Sequence, residues 1–153
     1  MASVWGLAGE VMNESRKVRV YLGGMSNEHD NNWKKLFQGM AGCEFYDWEV
    51  HSDQTSADTY FPDDLKGIKG ADILVANPGT IAPAEATWIE IGYFYALNTK
   101  KPGDFCDRLI IIWQESRQPK WSIEFVEKTG FVVSTFDEAI AKLKEIVALC
   151  AKG

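Results

Sequence analysis

Short apolar stretches alternate with helix-like stretches along most of this chain, and the alternation restricts the available folds more than any other feature does. We predict five strands, at residues 17–22, 43–50, 72–76, 108–113 and 131–134. We predict helices at residues 33–40, 65–69, 83–98, 123–128 and 136–151. Strands that alternate with helices form a parallel sheet with helices on both faces. The pattern therefore predicts a single α/β domain with a flavodoxin-like, doubly wound, five-stranded parallel sheet.

Three local patterns refine this prediction. Trp33, Leu36, Phe37 and Met40 share the spacing of one helical face, and Asp30 or Asn31 is placed to cap that helix. The polar residues 52–58 predict a mobile loop over a site, and Pro62-Asp63-Asp64 then opens the short helix at 65–69. Residues 1–16 show no clear period, so we expect a loosely ordered segment there and a folded domain over 17–153.

Composition excludes several kinds of partner and cofactor. A net charge of −6 and a pI of about 4.9 argue against a nucleic-acid polymer or an anionic membrane as partner. Neither Gly23-Gly24 nor Gly79-Thr80 matches a dinucleotide or ATP motif, so we expect no cofactor. The three cysteines are widely spaced and the chain has only two histidines, which predicts no metal site, reduced thiols and a cytoplasmic location.

One acidic residue, Glu90, stands where α/β proteins bind ligands. A predicted buried strand at 72–76 leads into a loop that contains Gly and Pro, and the next helix carries Glu90. In open α/β sheets, ligands bind just beyond the carboxyl ends of the strands. We expect Glu90 to be held ionised by the nearby helix N-terminus and to be able to attack an electrophilic carbon.

Four segments, in order and with similar gaps, resemble the nucleoside 2-deoxyribosyltransferase family. The segments are residues 20–24, 63–69, 71–75 and 87–92, and the resemblance extends over about residues 18–102. It implies a flavodoxin-like sheet, sites completed between subunits of a homo-oligomer, and a small nucleoside or nucleotide substrate. The implied activity is retaining transfer of a 2-deoxyribosyl group between nucleobases through an ester on a Glu. Superfamily relatives, among them the 2′-deoxynucleoside 5′-phosphate N-hydrolases, instead hydrolyse the N-glycosidic bond of deoxynucleotides or nucleotides, so the alternative activity is hydrolysis of (deoxy)nucleosides or their 5′-monophosphates.

Carried over by position, the resemblance implies three catalytic residues: Glu90 as nucleophile, Asp64 as the acid that protonates the leaving base, and Tyr21 as the hydroxyl that orients Glu90. Each has a structural alternative. Glu90 would then be a solvated acid on an amphipathic helix, Asp64 or Asp63 a helix cap, and Tyr21 a core aromatic residue with its hydroxyl at the rim.

The resemblance also implies substrate-binding residues, and it has two gaps. The implied residues are Gly23, Gly24, Asp63, Glu85 and Thr87. Transferases of the family place an Asp six residues before the nucleophile to bind the sugar; here that position is Ala84, and the neighbouring Glu85 offers a longer side chain. The Asn that the family lends to a neighbouring subunit is not recognisable, and residues 121–125 stand roughly in its place.

Two other functions stay open at this point. A hydrolase acting on nucleotides would need phosphate contacts, and Ser26, Arg117 or Ser134 at strand ends could supply them. The sequence lacks a dense anion-binding nest, which favours nucleosides over nucleotides. A non-catalytic nucleotide-binding or protein-interaction module is the third reading, because fold does not determine function.

Overall fold

A computed structural model describes residues 16–26, 30, 32–79, 85–114 and 120–152, with only the backbone described for 120–122. Five strands form one parallel sheet in the order β2-β1-β3-β4-β5. The strands are β1 Val18–Gly24, β2 Cys43–Asp47, β3 Ile73–Asn77, β4 Leu109–Ile112 and β5 Phe131–Val133. The predicted flavodoxin-like sheet is confirmed.

Helices connect the strands and cover both faces of the sheet. They are a 3-10 helix at Trp33–Leu36, then α1 Trp48–His51, α2 Ala57–Gly70, α3 Glu85–Leu97, α4 Lys120–Val126 and α5 Phe136–Lys152. One apolar cluster joins the sheet to α2, α3 and α4, through side chains such as Ile68, Phe94 and Val126. A second cluster joins the opposite face to the 3-10 helix and α5, through Trp33 and Leu143 among others.

Strand β1 lies at the point where the direction of chain progression reverses. It pairs with β2 on one side and with β3 on the other, so that Tyr21 stands opposite both Tyr46 and Leu74. Ligands of doubly wound sheets bind at such switch points, beyond the carboxyl ends of the strands. The elements that follow β1, β2 and β3 therefore supply the side chains around the expected site.

The helix predicted at 33–40 is longer than the helix in the structure. Only Trp33–Leu36 are helical, and they form a 3-10 turn whose first N–H, that of Trp33, donates to the Asp30 carbonyl. Gly39 and Gly42 adopt φ angles of +115° and +80°, which end any helical continuation. With so short a helix, Leu36 is left 55% exposed, whereas Lys34 is fully buried.

The strand predicted at 43–50 also ends early. The Asp47 carboxylate accepts a hydrogen bond from the Glu49 N–H at 3.0 Å, which caps a single helical turn at Trp48–His51. The aromatic residues that suggested strand therefore divide between β2 and α1.

Helix α2 begins eight residues before its predicted start. The Thr59 hydroxyl accepts a hydrogen bond from the Ser56 N–H at 3.2 Å, an N-terminal capping contact that starts the helix at Ala57. Pro62, expected to open a helix, lies inside it. Hydrogen bonds from Thr55 to Asp53 and from Thr59 to the Asp53 carbonyl make residues 53–56 an ordered turn.

Several predictions lie on residues that are not described: the N-terminal segment up to residue 15, the cap at Asn31, the helix start at Pro83, and the positions Ala84 and Arg117. Among the described residues, no helix has both the length and the apolar character needed to cross a bilayer.

Candidate active site

The three predicted catalytic residues lie together on the face of the sheet that α2 and α3 cover. Tyr21 comes from β1, Asp64 from α2 and Glu90 from α3. Their charges act on one another: Asp64 raises the pKa of Glu90, and both carboxylates raise the pKa of Tyr21. Tyr21 is fully buried, Glu90 is 9% exposed and Asp64 is half-buried. The structure thus brings together residues that are up to 69 positions apart, from Tyr21 to Glu90.

Each of these residues has a buried polar atom without a close hydrogen-bond partner among the described residues. The atoms are Tyr21 Oη, Asp64 Oδ1 and Glu90 Oε2. Tyr21 Oη is near enough to the Glu90 carboxylate to lower its pKa, but the contact falls short of full hydrogen-bond geometry. Buried polar groups are normally paired with protein groups or with ordered water, so three such atoms at one place indicate a polar site that water or a polar ligand can enter.

Burial governs the acidity of Glu90. It raises the pKa of Glu90 to about 7, against the lowering effects of the Tyr21 hydroxyl and the Lys34 ammonium. Glu90 lies in the second turn of α3, beyond the first turn in which a helix dipole acts strongly. The expectation that the helix terminus holds Glu90 ionised is therefore wrong: near pH 7 the group is divided between its two forms.

Burial also raises the pKa of Asp64, against the lowering effects of a hydrogen bond with Ser52 and of Lys34. A carboxyl group with a raised pKa keeps its proton to higher pH, which suits an acid that protonates a leaving group. The pKa of Tyr21 is raised as well. Burial is the largest cause, and the Glu90 and Asp64 charges add to it, so the Tyr21 hydroxyl keeps its proton and stays a donor.

A stack of aromatic rings supports Tyr21. Its ring lies 5.1 Å from that of Tyr46 with an interplanar angle of 13°, and Tyr46 stacks in turn on His51 at 5.1 Å. The Tyr46 hydroxyl donates to the Asp63 carbonyl at 3.2 Å, which fixes the stack to α2. Burial raises the pKa of Tyr46 to about 12.

A buried lysine lies behind the site. Lys34 is fully buried, and its Nζ lies 2.7 Å from Asp47 Oδ1 and 2.7 Å from Glu49 Oε2. The same ammonium group lies 4.3 Å from the centre of the Trp48 ring. Trp48 Nε1 donates to the Gly24 carbonyl at 3.2 Å, so this cluster joins the carboxyl ends of β1 and β2.

Close packing explains why the two glycines predicted to bind substrate, Gly23 and Gly24, have no side chain. A Cβ built on Gly23 would lie 3.2 Å from Glu90 Oε2 and 3.2 Å from Tyr21 Cε1. Gly24 has a φ of +127°, and a Cβ there would collide with the backbone of Asn77. The first glycine makes room for the candidate nucleophile, and the second permits close approach of the ends of β1 and β3.

The other predicted substrate-binding residues differ in their placement. Thr87 is buried, in the first turn of α3, whereas Glu85 is exposed at the start of that helix. Asp63 Oδ2 accepts a hydrogen bond from the Asp53 N–H at 3.1 Å and so anchors the turn before α2. A substrate contact by any of these residues stays a prediction.

The proposed phosphate contacts are not brought together. Ser26 follows β1 and is half-buried near the switch point. Ser134 follows β5 at the far edge of the sheet, two strands from β3, and Arg117 lies outside the described residues. In the part of the chain that the structure describes, no group of three or more His, Cys, Asp or Glu residues could hold a metal ion.

Sequence reasoning missed Lys34, Tyr46 and Gly67 as neighbours of the site. A lysine in an amphipathic segment reads as a solvated residue, and Tyr46 reads as one aromatic residue among several. Gly67 did carry a signal, because glycine inside a helix is unfavourable relative to alanine and calls for a packing reason.

An apolar groove of about 730 Å³ lies on the other side of α3. Its lining includes Trp88, Tyr95, Trp113 and Phe125, and includes none of the three candidate catalytic residues. Apolar volume without convergent polar groups is a weaker indication of a reactive site than buried unpaired polar atoms are. We therefore locate the candidate active site at Glu90.

No protein-family model and no curated protein matches this sequence. Several solved structures are similar in fold, including the following two. A conserved protein from Enterococcus faecalis V583 is 13% identical, with a TM-score of 0.64. The CMP N-glycosidase BcmB of Clostridium botulinum is 23% identical, with a TM-score of 0.58. Each alignment covers 84% of this chain and 98% of the other chain. What these likenesses show is a shared fold.

Proposed function

We propose that this protein cleaves the N-glycosidic bond of a nucleoside or nucleotide and holds the sugar as an ester on Glu90. The observation that carries the proposal is the convergence of three buried, unpaired polar atoms, from Tyr21, Asp64 and Glu90, at the sheet's switch point. The resemblance to nucleoside 2-deoxyribosyltransferases supports it, as does the similarity in fold to a CMP N-glycosidase.

In the proposed reaction, the ionised Glu90 carboxylate attacks C1′ of the sugar while the bond from C1′ to the base nitrogen breaks. Asp64 donates its proton to the departing base, which would otherwise leave as an unstable anion. The Tyr21 hydroxyl donates toward the Glu90 carboxylate and favours its charged form. A carboxylate nucleophile divides one substitution into two inverting steps, so that the sugar keeps its configuration overall.

The fate of the ester separates transferase from hydrolase. Our proposal is transfer: a second nucleobase attacks C1′, regenerates the Glu90 carboxylate and returns a proton to Asp64. Hydrolysis, in which water replaces the second base, is the second candidate. The fold that this chain shares with a CMP N-glycosidase favours hydrolysis. Ala84, where transferases of the family have an Asp, also weakens the case for sugar binding in the transferase manner. Homo-oligomer formation and a cytoplasmic location stay predictions.

Chromatography of reaction mixtures tests the proposal. Purified protein is incubated with 2′-deoxyinosine, with and without adenine or cytosine, and in parallel with deoxynucleoside monophosphates and CMP. A new deoxynucleoside that forms only with the acceptor base supports transfer, whereas free base released without an acceptor supports hydrolysis. If folded protein converts none of these substrates, the non-catalytic binding module becomes the better reading.

Mass spectrometry of the intact protein tests the ester itself. We expect a mass increase of one sugar residue during turnover, located on the peptide that contains Glu90 and absent in Glu90→Gln. Glu127→Gln is the matched control, because Glu127 is an exposed acid directly after α4, a helix that supplies none of the three candidate catalytic side chains. An adduct that persists in Glu90→Gln would contradict the assignment of the nucleophile.

A further inference from the structure

The Tyr21 ring lies between two glycines. A Cβ built on Gly23 would approach Tyr21 Cε1 to 3.2 Å, and a Cβ built on Gly67 would approach Tyr21 Cε2 to 2.9 Å. These two ring carbons flank the carbon that bears the hydroxyl. Both edges of the ring at its hydroxyl end therefore face a residue that has no side chain.

The contact at Gly67 is the tighter of the two. Besides Tyr21, its Cβ would meet Tyr46 at 2.8 Å from Cε1 and 2.9 Å from Cζ. Both rings are buried, with Tyr21 fully buried and Tyr46 4% exposed, and they stack on one another. An alanine at 67 could be accommodated only if the stacked pair moved, because close-packed rings have no adjacent space.

Glycine at this position is unfavourable for the helix itself. Gly67 lies in the interior of α2, where glycine destabilises a helix by roughly 0.5–1 kcal/mol relative to alanine. Its φ is not in the left-handed region, so backbone conformation gives no reason for it. What remains is the room that it leaves for the two tyrosine rings.

We propose that Gly23 and Gly67 are positioning residues that hold the Tyr21 hydroxyl against the Glu90 carboxylate. The catalytic meaning of this inference rests on the proposed function. The position of the Tyr21 hydroxyl is independent of the proposed function, because the hydroxyl acts on Glu90 in the protein without substrate.

The groups that act electrostatically on Glu90 come from four elements. They are Tyr21 on β1, Tyr46 on β2, Asp64 on α2 and Lys34 on the 3-10 helix. Of these, the Tyr21 hydroxyl and the Lys34 ammonium lower the Glu90 pKa, and the effect of the hydroxyl is the larger. A ring displaced by alanine at 67 would take the hydroxyl away from Glu90 and leave Lys34 and Asp64 on their own elements.

The test is the pKa of Glu90, measured by NMR titration of protein with 13C-labelled glutamate carboxyl groups and assigned with Glu90→Gln. Tyr21→Phe removes the hydroxyl, and we expect the acidity of Glu90 to fall roughly tenfold, because a donor directed at the carboxylate favours its charged form. We expect Gly67→Ala to produce most of that fall.

Gly92→Ala is the matched control. It makes the same substitution inside a helix, only two residues from Glu90, but a Cβ there meets nothing within 4 Å. We expect it to leave the Glu90 pKa at the wild-type value. A purely structural effect of alanine at 67 would lower thermal stability without this selective change in acidity.

The double variant Gly67→Ala/Tyr21→Phe decides the route. If Gly67 acts through the hydroxyl, the double variant has the Glu90 pKa of Tyr21→Phe alone. A further rise in the double variant, or an unchanged pKa in folded Gly67→Ala, overturns the proposal.

Should Gly67→Ala fail to fold, Gly23→Ala replaces it, because its clash with the same ring is milder. The new methyl group of Gly23→Ala would also contact Glu90 Oε2 directly and so change the Glu90 pKa by a second route. Only the pKa change that disappears when Tyr21→Phe is also present passes through the hydroxyl. If none disappears, the proposal fails. Absence of turnover in all variants would count against the proposed function and leave this measurement interpretable.

Discussion

The ammonium group of Lys34 lies 2.7 Å from a carboxylate oxygen of Asp47, and neither side chain is exposed by more than 2%. A charge pair removed so completely from water is held by further contacts, here the Glu49 carboxylate and the Trp48 ring. The same positive charge lowers the pKa of both Glu90 and Asp64. One buried pair therefore supports the end of β2 and also tunes the candidate site.

Replacement of Lys34 by Met should destabilise the protein strongly, since it leaves Asp47 as a buried charge without its closest partner. Breaking a buried ion pair on one side typically costs about 3–5 kcal/mol. Urea denaturation measures the free energy of unfolding. Lys35→Met is the control, because Lys35 is the exposed neighbour in the same 3-10 helix. Equal stability of the two variants would show that the pair contributes little.

Glu90→Gln should stabilise the protein, and the gain should grow with pH. The folded-state pKa of Glu90 is about 7 and its ordinary value is 4.5. Below pH 4.5 the group is protonated in both states and imposes no penalty. As the pH rises through 7 the folded protein must ionise a buried carboxyl, a penalty of ~3 kcal/mol at high pH. Thermal or urea unfolding at pH 5 and pH 9 measures the gain, and Glu127→Gln, the same change at an exposed acid, is the control.

Asp64→Asn should slow cleavage of an ordinary purine deoxynucleoside by about 10²–10⁴-fold, because the leaving base loses its proton donor. The loss should be much smaller for 7-methyl-2′-deoxyguanosine, whose base departs as a neutral molecule without protonation. Initial rates on the two substrates, compared with wild type, measure the difference. Equal losses on both would indicate a binding role instead. Asp63→Asn, assayed in parallel, tests the predicted substrate contact of that residue.

Gly24→Ala should destabilise the fold more than a left-handed φ alone explains. Gly24 and Gly39 have φ angles of +127° and +115°, but a Cβ on Gly39 meets nothing within 4 Å, whereas one on Gly24 collides with Asn77. We expect Gly24→Ala to cost about 1–3 kcal/mol more than Gly39→Ala, the usual range for overpacking. Chemical denaturation of the two variants gives this difference. If their stabilities match, the close approach of β1 and β3 has no energetic importance.

The sheet was predictable because its central strands β3 and β4 are mostly apolar, as in Leu109–Ile112, and such runs admit few alternatives. The ends of elements that side-chain capping contacts determine were harder to predict. The Asp47 carboxylate ends β2, and the Ser56–Thr59 contact starts α2 well before Pro62. These contacts are single hydrogen bonds that periodicity does not register.

The candidate site likewise has one property that was predictable, the positions of its residues, and one that was not, the acidity of Glu90. The resemblance placed Tyr21, Asp64 and Glu90 at related positions, and the structure brings them together. The acidity of Glu90 was not predictable, because it depends on burial under α2 and on a lysine that sequence alone assigns to the surface. Burial is a property of the packed protein, and no local pattern around residue 90 encodes it.

Helix α5 shares an apolar cluster with Val20 and Leu22, the residues on either side of Tyr21 in β1. All three candidate catalytic side chains precede residue 91, whereas α5 spans Phe136–Lys152. During synthesis, the candidate catalytic groups therefore leave the ribosome long before α5, which packs against the other face of β1. Until that late, long-range contact forms, the apolar face of β1 is incompletely covered, and assembly of the candidate site should be as slow as the closing of the sheet.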